Sequence, residues 1–184
     1  SDVCSSDLDG SGLGNDDAIA VATDNNDNIV LTMRTDVDQN PTVSNYNILT
    51  IKFDNNLNQL WNSPPEYNSQ INGDDEPVAL TTNAAGDVFV TGVTETDTTG
   101  GLVNHDWVMI RYNDQGIQTF VTDYDGPAHG DDSPNAIAVK GTSMWVCGNS
   151  EGLNNNQKDM TLNRYDISVG TEQISGQPVA LVYP

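Results

Sequence analysis

One skeleton of residues recurs three times in this chain, and this repetition constrains the fold more than any other feature. It consists of a turn, an acidic pair and an apolar run. At 125–139, Asp-Gly-Pro is followed by Gly-Asp-Asp and then by Ala-Ile-Ala-Val. A second copy lies at 68–80, and a third, two residues shorter before its alanine, lies at 9–21. Such repeats are sought first because they determine the architecture.

Two further segments recur in the same order. The first is an apolar strand, at 29–32, 88–92 and 144–148. The second is a strand that ends in a basic, an aromatic and a polar residue, at 47–54, 106–113 and 159–166. Its basic residues Lys52, Arg111 and Arg164 are separated by 59 and 53 positions. A period near this length with no helical pattern is typical of a propeller blade.

Each repeat supplies four short strands, which the second repeat places near 78–83, 87–94, 105–112 and 117–124. Asn and Gly stand in the turns, where positive φ is needed. The longer polar links follow the second strand of each repeat, so we expect them at one edge of the assembly; they lie at 36–45, 94–104 and 149–158.

The predicted fold is therefore all-β, an incomplete β-propeller of about three four-stranded antiparallel blades plus the first strand of a fourth. The blades span 9–64, 65–124 and 125–176, and the additional strand lies within 177–184. Closed propellers typically have 4–8 blades. We therefore expect the chain to be a fragment whose partners include the remaining blades of a longer protein.

We expect residues 1–8 to have a different origin from the repeats. The octapeptide Ser-Asp-Val-Cys-Ser-Ser-Asp-Leu is the codon-by-codon translation of a sequencing-library adapter, so we interpret it as an assembly artefact. Its end imitates the opening of an EF-hand loop from Asp7 to Gly12. Ala18 stands where the bidentate glutamate should be, so an EF-hand is rejected.

The charge excludes several classes of function. The formal net charge is −21, from 27 acidic residues against 6 Lys and Arg. Phosphate contacts require clustered Lys and Arg, so nucleic acid and anionic membrane surfaces are not expected partners. No run approaches the ~18 apolar residues of a membrane span.

The repeated motifs resemble the bacterial beta-propeller repeat family labelled SBBP. The resemblance rests on Tyr-Asp-Gly-Pro, Gly-Asp-Asp, Ala-Ile-Ala-Val, Gly-Asp-Val-Phe-Val-Thr-Gly and Asp-Trp-Val-Met-Ile-Arg-Tyr-Asn-x-x-Gly, and it covers nearly everything from Asp9 onward. It implies a secreted or surface-anchored bacterial module, with no settled activity and no catalytic residues to transfer. Individual turns and strands depart from the pattern at Met33, Leu57, Thr142 and Asn163.

The recurring acids are the first candidate site. Asp16, Asp75 and Asp132 are candidate ligand-binding residues, and Asp74, Asp75, Asp131 and Asp132 are weak candidates for binding Ca²⁺, which prefers several oxygen ligands. The alternative is that each Asp caps the turn entering the first strand by accepting backbone N–H bonds. Recurrence in every repeat favours capping, because a scaffold element must repeat and a ligand site need not.

Trp107 is the remaining candidate. It could stack on a sugar, but its alignment with Ile48 and Met160 favours a buried position. The acid at the head of the same strand, Asp106, lies five residues before Arg111, and this odd spacing places the two side chains on opposite faces. His105 and His129 lack metal-ligand spacing, and no catalytic motif is visible, so neither an enzymatic activity nor a cofactor is predicted.

The leading functional hypothesis is a non-catalytic extracellular scaffold that binds an unidentified protein or carbohydrate through the polar links and the Gly-Asp-Asp turns. This hypothesis depends on the resemblance in fold. The first alternative is part of a propeller hydrolase or lyase acting on polysaccharide. The second is an adhesion module stabilised by Ca²⁺.

Overall fold

The computed structural model describes residues 15–38, 45–97, 103–153 and 157–168, and every regular element in these ranges is a strand. The strands are β1 (Asp17–Thr23), β2 (Ile29–Asp36), β3 (Tyr46–Phe53), β4 (Glu66–Tyr67), β5 (Asp75–Thr82), β6 (Val88–Asp97), β7 (Asn104–Tyr112), β8 (Gln118–Tyr124), β9 (Ser133–Lys140), β10 (Ser143–Glu151) and β11 (Lys158–Asp166). The predicted all-β class is confirmed. Within these ranges there is no helix that could cross a bilayer.

The strands form three antiparallel sheets in chain order. The first sheet is β1-β2-β3-β4, the second is β5-β6-β7-β8, and the third contains β9, β10 and β11 with β10 in the middle. The adapter-like residues 1–8, the remainder of the third predicted repeat and the predicted strand within 177–184 lie outside the described residues.

The hairpin turns share one local design. Asn113 Oδ1 accepts the backbone N–H of Gln115 at 3.0 Å and of Ile117 at 2.9 Å, and Gly116 has φ of 79°. The carboxylate or amide of Asp24, Asp54 and Asn83 makes the same contacts in three other turns. Leu57 occupies the Gly116 position with φ of 64°, a conformation that glycine and asparagine adopt more readily.

A β-bulge recurs at one place in every first strand. The register shifts after the pairs Ala18–Met33, Pro77–Gly92 and Pro134–Gly148. A Cβ on Gly92 would overlap the backbone of the proline-bearing strand. Proline is tolerated at bulges because no ladder hydrogen bond is lost there. The first sheet carries Ala18 in place of proline and Met33 where the other repeats have glycine.

The three sheets pack face to face. We call the face that carries Lys52, Arg111 and Arg164 the forward face of each sheet, and the other its reverse face. The forward face of the first sheet packs on the reverse face of the second in one buried cluster, and the second and third sheets repeat this arrangement in another. The second sheet is buried on both faces, which explains its continuous apolar runs.

Neighbouring sheets meet mainly along their first strands, since β5 contacts both β1 and β9. Along these strands, small side chains lie on the forward face and larger side chains lie on the reverse face. Ala20 and Ala79 lie on the forward faces, where they pair with Thr32 and Thr91, while Leu80 lies on the reverse face of the second sheet. A small forward side chain therefore faces a larger reverse one at the junction.

The buried side chain of Lys52 links the first and second sheets through ion pairs. Lys52 Nζ lies 2.8 Å from Asp24 Oδ2 within its own sheet and 2.5 Å from Asp114 Oδ1 in the β7–β8 turn of the second sheet. The side chain of Lys52 is 1% exposed. Arg111 repeats the arrangement, since it pairs with Asp87 at 2.7 Å and donates to the carbonyl of Ile167, the residue after β11 of the third sheet.

Candidate functional site

Asp75, the second aspartate of the Gly-Asp-Asp pair, closes the loop that precedes β5. Its Oδ2 accepts the backbone N–H of Ser69 at 2.6 Å, and its Oδ1 accepts the hydroxyl of Thr94 at 2.5 Å. Asp75 is fully buried. Burial raises the pKa of this carboxyl to about 6, although the bonds from Thr94 and Ser69 oppose the shift.

Asp132 makes the corresponding contacts in the third repeat. Its Oδ2 accepts the N–H of Gly126 at 2.5 Å, and its Oδ1 accepts the N–H of Glu151 at 3.1 Å. Asp16 follows the same pattern in the shorter copy, where its Oδ1 accepts the N–H of Asp36 at 3.0 Å. The bonds from Ser69 to Asp75 and from Gly126 to Asp132 are the contacts within the preceding turn that the capping interpretation predicts. The bonds from Asp36 to Asp16 and from Glu151 to Asp132 come instead from the last residue of the second strand.

The first aspartate of each pair reaches across a junction. Asp74 Oδ1 accepts the N–H of Tyr46 at 3.0 Å, at the start of β3 in the preceding sheet. Asp131 Oδ1 accepts the N–H of His105 at 3.2 Å, at the equivalent place in β7, and the N–H of Asp132 returns to the His105 carbonyl at 2.7 Å. The acidic pairs therefore connect consecutive sheets as well as capping their own strands.

These contacts bring the Gly-Asp-Asp turns to the edge from which the links between second and third strands emerge. A groove of about 640 Å³ extends from this edge along β8, between the β4–β5 connection and the end of β6, and reaches Gln118 at the start of β8. Tyr67, Gln70, Thr96, Gln118 and Asp123 are among its lining residues. Hydroxyl, amide and carboxylate groups of this kind can donate and accept hydrogen bonds to a polar ligand.

Trp107 lies away from this groove. Its side chain is fully buried at the second junction, its ring centroid lies 5.0 Å from that of Tyr124, and its Nε1 donates to the carbonyl of Asn149 at 3.3 Å. The predicted burial of Trp107 is confirmed, and its ring packs against protein.

Three carboxylates converge at the second junction, in a combination that sequence reasoning missed. Asp106 at the start of β7, Asp125 in the Asp-Gly-Pro turn and Asp132 each contribute an oxygen, and these oxygens lie within 4.8 Å of one another. Asp132 was a predicted candidate. The cluster does not include the other predicted candidates Asp74, Asp75 and Asp131. Among the described residues, it is the one group of three or more Asp, Glu, His or Cys side chains whose ligand atoms lie this close together.

Asp106 is the most constrained member of the cluster. It is 4% exposed, and its Oδ1 has no hydrogen-bond partner. Burial raises the pKa of the Asp106 carboxyl to about 6, the Thr96 hydroxyl opposes the shift, and the charges of Asp125 and Asp132 add to it. Asp106 and Arg111 were predicted to lie on opposite faces of their strand. The contacts of Arg111 are consistent with this, since it pairs with Asp87 and not with Asp106.

The first junction holds amides in the corresponding positions. The equivalents of Asp106 and Asp125 are Asn47 and Asn68, while Asp75 corresponds to Asp132. Asn47 Nδ2 donates to Glu66 at 3.2 Å, and Asn68 Nδ2 donates within its own loop. Three carboxylates are therefore a property of the second junction and not of the repeat in general.

Both histidines contact acids at this junction. His105 Nδ1 lies 3.2 Å from Asp131 Oδ1, and His129 Nδ1 lies 2.5 Å from Asp125 Oδ2. Hydrogen bonding and the charge of Asp125 raise the pKa of the exposed His129 ring. Neither imidazole belongs to the three-carboxylate cluster.

No protein-family model and no curated protein matches this chain. A functional assignment therefore depends on the sheets, on their junctions and on the polar groups at the groove and the carboxylate cluster.

Proposed function

We propose that this chain is part of an extracellular β-propeller that acts as a non-catalytic scaffold and presents a polar edge to a protein or carbohydrate ligand. The observation that carries the proposal is the repetition of one sheet-to-sheet junction. Both junctions join a forward face to a reverse face, and in both a cation from the third strand reaches a turn of the next sheet.

Propeller architecture accounts for several features together. Consecutive sheets are antiparallel meanders of the same order, and their first strands are adjacent. The forward face of the third sheet leaves Met160 62% and Leu162 40% exposed, on the face that the next sheet covers in the first two. A further sheet of the same kind would cover these side chains and continue the series.

The extracellular setting is supported by the resemblance to the SBBP repeats and by the acidic composition. A net charge of −21 keeps such a surface soluble and repels anionic partners. The groove at the Gly-Asp-Asp edge is the best candidate for ligand contact, because it combines an open cavity with exposed amides from Gln70 and Gln118.

The enzymatic alternative, a polysaccharide hydrolase or lyase, requires carboxyl groups that reach the substrate. Among the described residues, the two carboxyls with a pKa raised to about 6 are Asp75 and Asp106, and both are buried within the sheet junctions. Scaffold binding is therefore the function that the geometry supports better.

The test is a panel of soluble neutral and acidic polysaccharides, with binding measured by calorimetry and cleavage measured by release of reducing or unsaturated ends. We expect saturable binding to a neutral polysaccharide without product, weakened by Gln70→Ala. Gln115→Ala, in the β7–β8 turn and outside the lining of this groove, is the matched control and should leave binding unchanged. Release of product that tracks the protein through purification would contradict the scaffold proposal and favour the hydrolase or lyase.

A further inference from the structure

The three-carboxylate cluster at the second junction has a geometry that suits a hard divalent cation. We propose that Asp106, Asp125 and Asp132 bind one Ca²⁺ ion, which connects β7 of the second sheet to the loop entering β9 of the third. Oxygens on opposite sides of a Ca²⁺ ion are about 4.6–5.2 Å apart, because Ca²⁺–O distances are about 2.3–2.6 Å. The cluster oxygens lie within 4.8 Å of one another, so they can share one ion without a large rearrangement.

A second observation points to a missing ligand. Asp106 is 4% exposed, one of its oxygens lies in the cluster, and its Oδ1 has no hydrogen-bond partner. A buried carboxylate oxygen without a partner carries a large desolvation cost. A bound cation would supply the missing interaction and also remove the repulsion among three carboxylates.

A nearby hydroxyl can extend the donor set. Ser150 is 3% exposed, and its Oγ also has no partner. A Cβ built on Gly126 would overlap this hydroxyl and would lie 2.8 Å from Asp132 Oδ1, so the hydroxyl and the carboxylate line the same small space beside Gly126. The glycine in the Asp-Gly-Pro turn keeps that space open.

The remaining ligands are available. Both oxygens of Asp132 accept backbone hydrogen bonds, but a carboxylate oxygen has two lone pairs, so each retains one for a metal. Asp125 is exposed, which allows water to complete the 6–8 oxygen ligands that Ca²⁺ takes. Mg²⁺ fits less well because it requires near-ideal octahedral geometry at about 2.0–2.1 Å.

The first junction supplies an internal comparison. Asn47 and Asn68 replace two of the three carboxylates there, and their amides donate to neighbouring side-chain oxygens instead. An amide at the Asp106 position is thus compatible with the fold of the repeat. The proposed ion is accordingly specific to the second junction.

The test uses the full chain in about 0.15 M KCl, which screens non-specific attraction of cations to the acidic surface. Tb³⁺ reports binding through luminescence sensitised by Trp107 and Tyr124, which are adjacent in sequence to two of the ligands. Competition with Ca²⁺ and Mg²⁺ gives selectivity, and calorimetry gives stoichiometry. We expect one Ca²⁺ per chain, and a rise in Tm of roughly 5–10 °C at Ca²⁺ about 100-fold above Kd.

Two variants separate this site from general acidity. Asp106→Asn should weaken Ca²⁺ binding by at least about tenfold and abolish the Ca²⁺-dependent rise in Tm. Asp159→Asn removes the same charge at the equivalent position of β11, outside the cluster, and should change neither. If Asp106→Asn does not fold, Asp125→Asn in the exposed loop carries the same expectation.

Wild-type protein with no Ca²⁺-dependent shift in Tm would overturn the proposal. Equal Ca²⁺ affinity in the wild type, Asp106→Asn and Asp125→Asn would also overturn it, since the ion would then bind elsewhere. Neither outcome bears on polysaccharide binding at the groove, so the two proposals can fail separately.

Discussion

Replacing Lys52 with methionine should destabilise the protein far more than the loss of an ordinary surface ion pair. The side chains of Lys52 and Asp24 are 1% and 0% exposed, and their charged groups are 2.8 Å apart. Lys52→Met keeps most of the aliphatic stem but leaves the Asp24 carboxylate buried without its cation. Breaking a buried pair in this way costs about 3–5 kcal/mol.

The lower part of that range is the expected result. Asp24 retains three neutral hydrogen bonds, from the backbone N–H groups of Asn26 and Asn28 at 2.8 and 3.0 Å and from the Asn28 amide at 2.9 Å. These donors satisfy part of the carboxylate, so we expect a loss of about 3 kcal/mol at pH 7. Since domains are stable by about 5–15 kcal/mol, this is a large share of the total.

The loss should depend on pH. Burial alone would raise the pKa of Asp24, but the bond from Lys52 and those from Asn28 and Asn26 outweigh it and lower the pKa from 3.8 to about 2. The stabilisation is therefore present above pH about 4 and is lost as the pH falls towards 2. The difference between wild type and Lys52→Met should shrink over the same interval.

The assay is denaturant unfolding at pH 7 and at several values down to about pH 2. Arg34→Met is the matched control, because Arg34 also links two sheets, pairing with Asp17 at 2.7 Å and Glu76 at 2.9 Å, but with its own side chain 28% exposed. Exposed pairs contribute about 0–1 kcal/mol. If Lys52→Met costs no more than Arg34→Met, the reasoning from burial is wrong.

Two further predictions concern a turn and a buried acid. Leu57→Gly should stabilise the protein by up to about 1 kcal/mol, since it relieves a residue at φ of 64°; a lower unfolding midpoint than wild type would contradict this. Asp75→Asn should remove a pH-dependent cost of about 2–3 kcal/mol. The folded pKa of Asp75 is raised to about 6, so wild type loses this stability as the pH rises from about 4 through 6, and the variant should not. Parallel unfolding curves against pH for the two proteins would refute the assignment.

The sequence predicted the sheets well because their determinants are local. The strand predicted at 105–112 is Asn104–Tyr112, and the turn after it has the Asn and Gly that its hydrogen bonds and positive φ require. A strand or a turn is determined by residues within a few positions of it. Because the pattern occurs three times, each predicted strand could be checked against its equivalents in the other repeats.

The junction chemistry could not be predicted in the same way. The odd spacing of five residues predicted that Asp106 and Arg111 do not pair with each other. It did not indicate which side chains of the next sheet would contact them. Asp106 approaches Asp125 and Asp132 only because the third sheet packs on the second. Its partnerless oxygen is likewise a property of packing, and no spacing within one repeat indicates it.

The size alternation along the first strands has a geometric consequence. Ala20 and Ala79 place little side-chain volume on the forward faces of the first strands, where neighbouring sheets meet. In the proposed propeller, the angle between consecutive sheets would therefore depend on side-chain volume at these positions. A valine at either alanine would push the first strands of two neighbouring sheets apart and reduce the angle between these sheets. A closed ring of the proposed propeller would then need more sheets. The volume of a few small side chains on these strands would thus set the number of sheets in a closed propeller built from this repeat.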